Sequence, residues 1–466
     1  MNMRKNEQIR LAVTDLNNLG CGVGHIAGGE EDGMAVFVQG AITGDEVEAR
    51  VIKVNRGYAV ARLERIVSPS PYRAVSDCNA SLGCGGCAYR HVIYPHELDR
   101  KRAYVEAAFR KAGLGGVLVE PVRATGETVG YRNKAQYPIG VDRNGNTVAG
   151  FYAVNSHRIV PSDRCALQPP LFGEMVRFVC DFCDRYRIPA YNEAERRGLL
   201  RHLYLRVGQA TGETMVCLVV NGESLPHEAD FAREITGTFP AVVSVLLNVN
   251  RADTNVVLGE QYRVLAGKAF IEDELCGLRF RISPQSFYQV NHNACELLYA
   301  VAKEKAGLSG GELLLDLYCG IGTVGLSMAD RAGEVMGVEI VPEAVECAKE
   351  NAARNGIANA TFVCGDATDP DGLLRKAADL RGDLSGAVAV LDPPRKGTTR
   401  ELIGAIAEAG IRKAVYISCN PDTLARDCAW FRNFGYEIGT VTPVDMFPRT
   451  GHVETVVLLS RSDINS

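Results

Sequence analysis

The sequence predicts a multidomain α/β protein with three parts. A small N-terminal β-barrel comes first, a cysteine-bearing α+β centre follows, and a mostly parallel sheet with helices on both faces closes the chain. Three observations lead there. Short alternating strands with glycine turns fill the first sixty-odd residues. Cys78, Cys84 and Cys87 cluster just after a Ser-Pro-Ser-Pro linker at residues 68–71. From Glu312 onward, buried apolar runs alternate with helical patterns, which is the signature of parallel strands joined by crossover helices.

Taken in order, Gly20, Gly22 and Gly24 punctuate the start, followed by the apolar run Met34 to Val38. Residues 46–54 alternate polar and apolar with period two, as a half-exposed strand does, and Tyr58 to Glu64 adds another. A barrel of this size is of the OB-like kind that binds nucleic acid. Residues 92–112 carry a helical pattern through Leu98, Val105, Ala108 and Phe109, and β-like segments run from Tyr131 through Phe151. A further helix is expected over 294–306. Strands are expected at Leu313 to Leu317, Val335 to Glu339, Thr361 to Cys364, Ala387 to Leu391 and Ala414 to Ile417, with a last one from His452. The expected units are 1–66, 67–280 and 281–466.

Composition narrows the function classes. The 466 residues suit two to four domains at roughly 150 residues each. Hydrophobic content of 46% and charged content of 23% are those of a soluble globular protein. The formal charge of −5 excludes a uniformly basic nucleic-acid binder but leaves room for local basic surfaces. No signal-peptide core and no apolar stretch near ~18 residues is present, so a cytoplasmic protein without membrane contact is expected. Fifteen cysteines, an odd number, fit metal binding or catalysis in a reducing compartment better than a disulfide framework. Cys180, Cys217, Cys276, Cys295, Cys347 and Cys364 sit in apolar surroundings and are expected in the core.

Four stretches carry chemistry. Cys84-Gly-Gly-Cys87 with Cys78 supplies three thiols. A tetrahedral ion or an iron–sulfur cluster needs a fourth, for which Cys165 is one candidate, and spacing alone leaves zinc and iron–sulfur both open. Gly320, Gly322 and Gly325 form a G-x-G-x-x-G turn after a strand, with acidic Glu339 at the end of the next. That arrangement suits NAD, FAD or S-adenosylmethionine, the carboxylate accepting from a ribose. Asp392-Pro-Pro-Arg395 follows a strand, and so does Ser418-Cys419-Asn420-Pro421, where a helix N-terminus would favour a thiolate. A nucleophilic thiol beside such a cofactor suits methylation of carbon 5 of a pyrimidine, which is unreactive until a thiolate adds to carbon 6. Arg196, Arg197, Arg201, His202 and Arg206 alternate with apolar residues and could face phosphates from one side of a strand.

Across nearly its whole length the chain resembles the RNA uracil-5-methyltransferase family. The motifs are Ser286-Phe-Tyr-Gln289, Asp316-Leu-Tyr318-Cys-Gly320, Glu339, Asp392-Pro-Pro-Arg395 and Ser418-Cys419-Asn420-Pro421, in that order. The resemblance implies a TRAM-like barrel at the N-terminus and a Rossmann-like class I methyltransferase domain at the C-terminus. It implies a 4Fe–4S cluster on Cys78, Cys84, Cys87 and Cys165. Cys419 becomes the nucleophile on uridine carbon 6 and Glu454 the base for the carbon-5 proton. Gln289, Tyr318, Glu339 and Asp392 become S-adenosylmethionine contacts, with Asp366 a candidate for the adenine amino group. A TRAM-like barrel together with four cysteines resembles the branch that acts on 23S rRNA; tRNA is the alternative substrate, and a monomer is expected. The rival of a different class, an iron–sulfur NAD-dependent oxidoreductase, explains the glycines and cysteines but gives Ser-Cys-Asn-Pro and Asp-Pro-Pro-Arg no role. A non-enzymatic RNA-binding protein is the third reading.

Overall fold

The computed structural model describes residues 3–28, 32–78, 80, 83–367 and 369–462. Strands β1 (Gln8–Leu16), β2 (Cys21–His25), β3 (Ala35–Gln39), β4 (Glu46–Asn55) and β5 (Tyr58–Ser68) close into a barrel in the order β1-β2-β3-β5-β4. The period-two alternation does what it should: Val47, Ala49 and Val51 fill the interior with Val36, Val38, Ala59 and Ala61.

A central seven-stranded sheet follows. Its strands are β6 (Lys134–Val141), β7 (Thr147–Tyr152), β8 (Ile159–Pro161), β9 (Leu200–Val207), β10 (Thr214–Val220), β11 (Val242–Val249) and β12 (Gln261–Gly267), in the order β12-β11-β10-β9-β6-β7-β8. Only β10 and β11 run parallel. A hairpin, β13 (Ile271–Leu275) and β14 (Leu278–Ile282), then contributes Ile271, Leu275, Phe280 and Ile282 to a core shared between the central and C-terminal sheets.

The C-terminal sheet holds β15 (Leu313–Asp316), β16 (Glu334–Glu339), β17 (Ala360–Cys364), β18 (Val388–Leu391), β19 (Lys413–Ser418), β20 (Glu437–Val444) and β21 (Glu454–Ser460). Its order is β17-β16-β15-β18-β19-β21-β20, with the first five parallel and β21 antiparallel to both neighbours. Strand β20 was not singled out in the sequence; a bulge between Ile438 and Val441 breaks its alternation. Successive residues of each strand feed opposite cores, Leu314 and Val415 on one face, Leu315 and Tyr416 on the other. Among the described residues, no helix is long and apolar enough to cross a membrane.

The helix Tyr94–Lys111 precedes the central sheet in sequence, yet its Val105, Ala108 and Phe109 pack on the C-terminal sheet. It also carries a buried ion cluster. Lys101 Nζ donates to Glu97 Oε1 (2.8 Å), Asp445 Oδ1 (2.7 Å) and the Phe447 carbonyl (3.1 Å), and all three charged side chains are fully buried. The Arg449 amide donates to Glu97 Oε1 (2.7 Å) and the Tyr94 hydroxyl to Asp445 Oδ2 (2.7 Å). The segment 445–451, which feeds β21, is thereby tied to this helix. The barrel meets the same segment: Tyr89 bridges them, its hydroxyl donating to the Asn17 carbonyl (2.8 Å) and its amide to the Arg449 carbonyl (3.0 Å), and Gly451 lies so near the Asn18 carbonyl that any Cβ would collide with it. Breaking such a cluster from one side strands two buried carboxylates. Lys101→Met is expected to cost about 3–5 kcal/mol of stability, read as a lowered thermal or denaturant midpoint. A midpoint unchanged from the native chain would contradict it.

Candidate active site

Segments distant in sequence end together at the carboxyl edge of the C-terminal sheet. Asp316 ends β15, Glu339 ends β16, Asp392 follows β18 and Cys419 follows β19, while the antiparallel β21 starts there with Glu454. The strand order reverses between β15 and β18, which opens the crevice where α/β sheets bind ligands. Ser418 pairs with Thr455 across β19 and β21, so one more step of the same register sets Cys419 opposite Glu454. The Thr455 hydroxyl donates to the Ser418 carbonyl (3.0 Å) and fixes that register.

Asn420 caps the helix Pro421–Asn433 by accepting from the Asp422 amide (3.2 Å). Its Nδ2 and the Thr423 hydroxyl both donate to the Arg395 carbonyl (3.0 and 3.2 Å), which locks the Asp392-to-Arg395 turn against the Cys419 turn.

The electrostatics are those of crowded acids. Burial pushes the Glu454 carboxyl up to about 8, with Asp392 adding to the rise and Arg395 opposing it. Burial, then the neighbouring Asp316, lifts Asp392 to about 7. Asp316 itself is lifted to about 7 by burial against the pull of the Gly325 and Tyr318 amides. Burial, then Glu454 and Asp392, pushes the Cys419 thiol up to about 11, with Arg395 opposing. The helix N-terminus was expected to favour a thiolate. In the ligand-free protein the half-buried position and two carboxyls outweigh it, so Cys419 stays protonated at neutral pH.

The glycine turn is held by acids as well. Glu339 accepts from the Gly320 amide (3.1 Å) and the Val341 amide (3.0 Å). Asp316 Oδ2 accepts from the Gly325 amide (2.8 Å), and its buried Oδ1 has no hydrogen-bond partner among the described residues. The Tyr318 hydroxyl lies 3.0 Å from Thr398 Oγ1. Asp366, at the end of β17, is exposed. Gln289 is buried, and its carbonyl accepts from Asn133 Nδ2 (3.0 Å).

Arg201 and Arg206 do not face solvent. Arg206 is 1% exposed and donates to the carbonyls of Ser286 (2.8 Å) and Tyr288 (3.1 Å), clamping the segment that carries Gln289. Arg201 is buried too and donates to the Asn250 and Ala252 carbonyls (2.8 Å each). Both faces of β9 are covered, so alternation with leucines did not mean an open face. Arg196 and Arg197 are exposed, and Arg196 pairs with Asp253. The gap in the sequence reading is Arg206 as a clamp. Its only signal was an arginine inside an otherwise apolar run.

Cys78, Cys84, Cys87 and Cys165 line one cavity of about 220 Å³, together with Arg132 and Lys134. The Gly86 amide donates to Cys84 Sγ (3.4 Å). Among the described residues no group of three or more His, Cys, Asp or Glu side chains is arranged to hold a metal ion. Of the cysteines expected in the core, Cys217 and Cys295 are fully buried and Cys364 is exposed.

A curated RNA methyltransferase of Halalkalibacterium halodurans, described as uncharacterized, is 40% identical over 458 residues, 98% of each chain. One of Clostridium acetobutylicum is 38% identical over 464 residues, 99% of this chain and 98% of that one. The tRNA (uracil-5-)-methyltransferase profile matches residues 253–462 and the TRAM domain profile residues 4–63. The chain belongs to the RNA uracil-5-methyltransferase family. A similar solved structure is the tRNA (uracil-54, C5)-methyltransferase of Pyrococcus abyssi in complex with S-adenosyl-L-homocysteine, at TM-score 0.76 and 27% identity, over 97% of this chain and 100% of that one. The barrel is thus a TRAM domain and the last sheet a methyltransferase domain.

Glu454 holds its proton more tightly in the folded protein than at the ordinary value of 4.5, so stability falls as pH climbs from about 4.5 through about 8. Glu454→Gln removes that fall. It is expected to raise the thermal midpoint of the ligand-free protein by a few degrees at pH 9 and by much less at pH 5. An equal shift at both pH values would show that Glu454 is not held protonated.

Proposed function

We propose that this protein transfers the methyl group of S-adenosylmethionine to carbon 5 of a uridine in 23S rRNA, as a cytoplasmic monomer, through a covalent bond from Cys419 to uridine carbon 6. The observation that carries this reading is the juxtaposition of Cys419 and Glu454 by strand register, with Asp392 and Arg395 beside them. The run of neighbouring acids from Asp316 through Asp392 to Glu454, only the last of them opposed by Arg395, supports a cationic cofactor over a dinucleotide, whose pyrophosphate is anionic.

S-adenosylmethionine supplies an electrophilic methyl on sulfonium. Gln289, Tyr318, Glu339 and Asp392 are the positions we assign to hold it, with Glu339 accepting from the ribose. The Cys419 thiol gives up its proton to solvent, its sulfur adds to carbon 6, the 5,6 double bond breaks, and the electrons of that bond pass to the oxygen on carbon 4 as an enolate. Arg395 is placed to favour the thiolate. Carbon 5 would take the methyl as the sulfur–methyl bond breaks, its electron pair staying on the sulfur of the departing S-adenosylhomocysteine. Glu454 then removes the carbon-5 proton, the double bond re-forms and the Cys419–carbon bond breaks. The target base must leave its stack to reach Cys419.

The TRAM barrel together with the four-cysteine cavity supports 23S rRNA; the name of the Pyrococcus relative supports tRNA as the second reading. Full-length protein incubated with S-adenosylmethionine and 5-fluorouridine-substituted RNA is expected to give an adduct on denaturing gels, because fluorine cannot be abstracted as the proton is. Peptide mapping should place it on Cys419, and Cys419→Ala should abolish it. An adduct with tRNA and none with 23S rRNA overturns the substrate. No adduct with either RNA, from folded protein that binds the cofactor, overturns the mechanism.

Cys78, Cys84, Cys87 and Cys165 are proposed to hold a 4Fe–4S cluster. Four thiols around one cavity supply the number of ligands such a cluster takes. Methyl transfer is redox neutral, so its role is to fold the Cys84–Cys87 loop and position RNA. Anaerobically purified protein should be brown with about four irons per chain. Stoichiometric zinc and no visible absorbance would refute that.

A further inference from the structure

A second built cavity lies away from the reaction centre, at the other end of β6. Its volume is about 350 Å³, and its walls include Gly140, Tyr152, His157, Tyr191, Arg201 and His202. A single water occupies only about 30 Å³ of liquid, so the space suits a larger guest. One wall is a flat aromatic pair: the rings of Tyr152 and His157 stack with centroids 5.0 Å apart. Glu193 locks them, accepting from the Tyr152 hydroxyl (3.0 Å) and lying 2.5 Å from His157 Nδ1. The facing wall is the turn that joins Ala190 to Leu200. Its tightness depends on Gly198, at φ +103°, where a Cβ would strike the Ala190 carbonyl. From that side the Arg201 guanidinium covers the Tyr191 ring at 4.7 Å.

Two polar side chains in this lining are themselves buried. His202 is 7% exposed and Arg201 6% exposed, yet His202 Nδ1 and Arg201 Nε make no hydrogen bond among the described residues. An imidazole and a guanidinium give this wall the hydrogen-bonding chemistry that the edge of a base can meet. The Glu193 carboxylate at the mouth disfavours a phosphate and leaves the flat, neutral part of a nucleotide as the better guest.

We propose that this cavity receives one unpaired base of the RNA substrate, stacked on the Tyr152–His157 pair with its polar edge towards His202 and Arg201. The assignment rests on the reading of the protein as an RNA methyltransferase. Strand β6 connects the two places. Asn133, just before it, touches the Gln289 carbonyl at the reaction centre, and Gly140 lines the cavity, about 20 Å further at the rise of a strand. Arg132 and Lys134 lie at the near end of that path. A single strand with its target uridine at Cys419 could therefore drop a second base here, which fixes the distance between the modified uridine and a recognised neighbour. Stacking on aromatic rings with edge hydrogen bonds is how unpaired RNA bases are read.

The test uses full-length protein and fluorescein-labelled hexauridylate, with three relatives in which one internal uridine is replaced by adenosine, guanosine or cytidine. Anisotropy should show the native protein preferring one of the four by about fivefold or more. Tyr152→Ala, His202→Leu and His157→Ala should each weaken the preferred oligomer about fivefold or more, the loss of one base contact, and flatten the preference. His157 is on the exposed rim, so its variant keeps the test alive if the two more buried changes fail to fold. No base preference in the native protein overturns the proposal. So does a folded His157→Ala that keeps both affinity and preference. The Cys419 adduct is scored separately: loss of the adduct with base preference intact refutes the reaction assignment alone, and the reverse refutes this cavity alone.

Discussion

Three carboxyl groups, Asp316, Asp392 and Glu454, share the edge of one sheet with a thiol and a single guanidinium, and burial holds each of them well above the ordinary carboxylate range. Acids placed this way are unfavourable in the ligand-free protein, since each raises the cost of ionising the next. A cation in their midst relieves all of them together. The site is thus suited to a positively charged sulfur donor, whose arrival would favour the ionised forms of Glu454 and Cys419 that the proposed reaction uses.

The remainder of the architecture keeps that edge in place. Lys101, fully buried between Glu97 and Asp445, ties the segment before β21 to a helix from much earlier in the chain, so the position of Glu454 depends on a contact across more than three hundred residues. Arg206 works in the same way for Gln289, gathering carbonyls of the preceding residues. Asn133 joins the central sheet to the Gln289 carbonyl. In each case a buried polar side chain satisfies backbone or charged groups on another element, and removing it would leave those groups unpaired. The central sheet is therefore a support for the carboxyl edge of the C-terminal sheet.

Much of the fold was legible because it rests on local pattern. Period-two alternation gave β4 its inward Val47, Ala49 and Val51, and apolar runs marked β15, β16, β18 and β19 with their helices between. β20 escaped because its bulge breaks the alternation, and the partnership of the helix Tyr94–Lys111 with the last sheet carries no local signal at all. Arg201 and Arg206 were misread for a related reason. Alternating arginine and leucine looks the same whether a strand face meets water or a wall of carbonyls, and only neighbours from β10, β6, residues 250–252 and residues 283–288 decide which.

The sequence by itself determined the three-part order, the family, and the residues at the strand ends, since glycine turns, acids and the Ser418-Cys419-Asn420-Pro421 turn follow directly from chain order. Only the tertiary structure decided their states and their partners. Whether Cys419 is a thiolate or a thiol depends on burial and on Glu454 and Asp392, which approach it from other strands. That Cys165 shares a cavity with Cys78, Cys84 and Cys87 depends on loops separated by about eighty residues of chain meeting in space. Proton affinity and cavity shape are properties of surroundings, and the surroundings of these residues are assembled from every part of the chain.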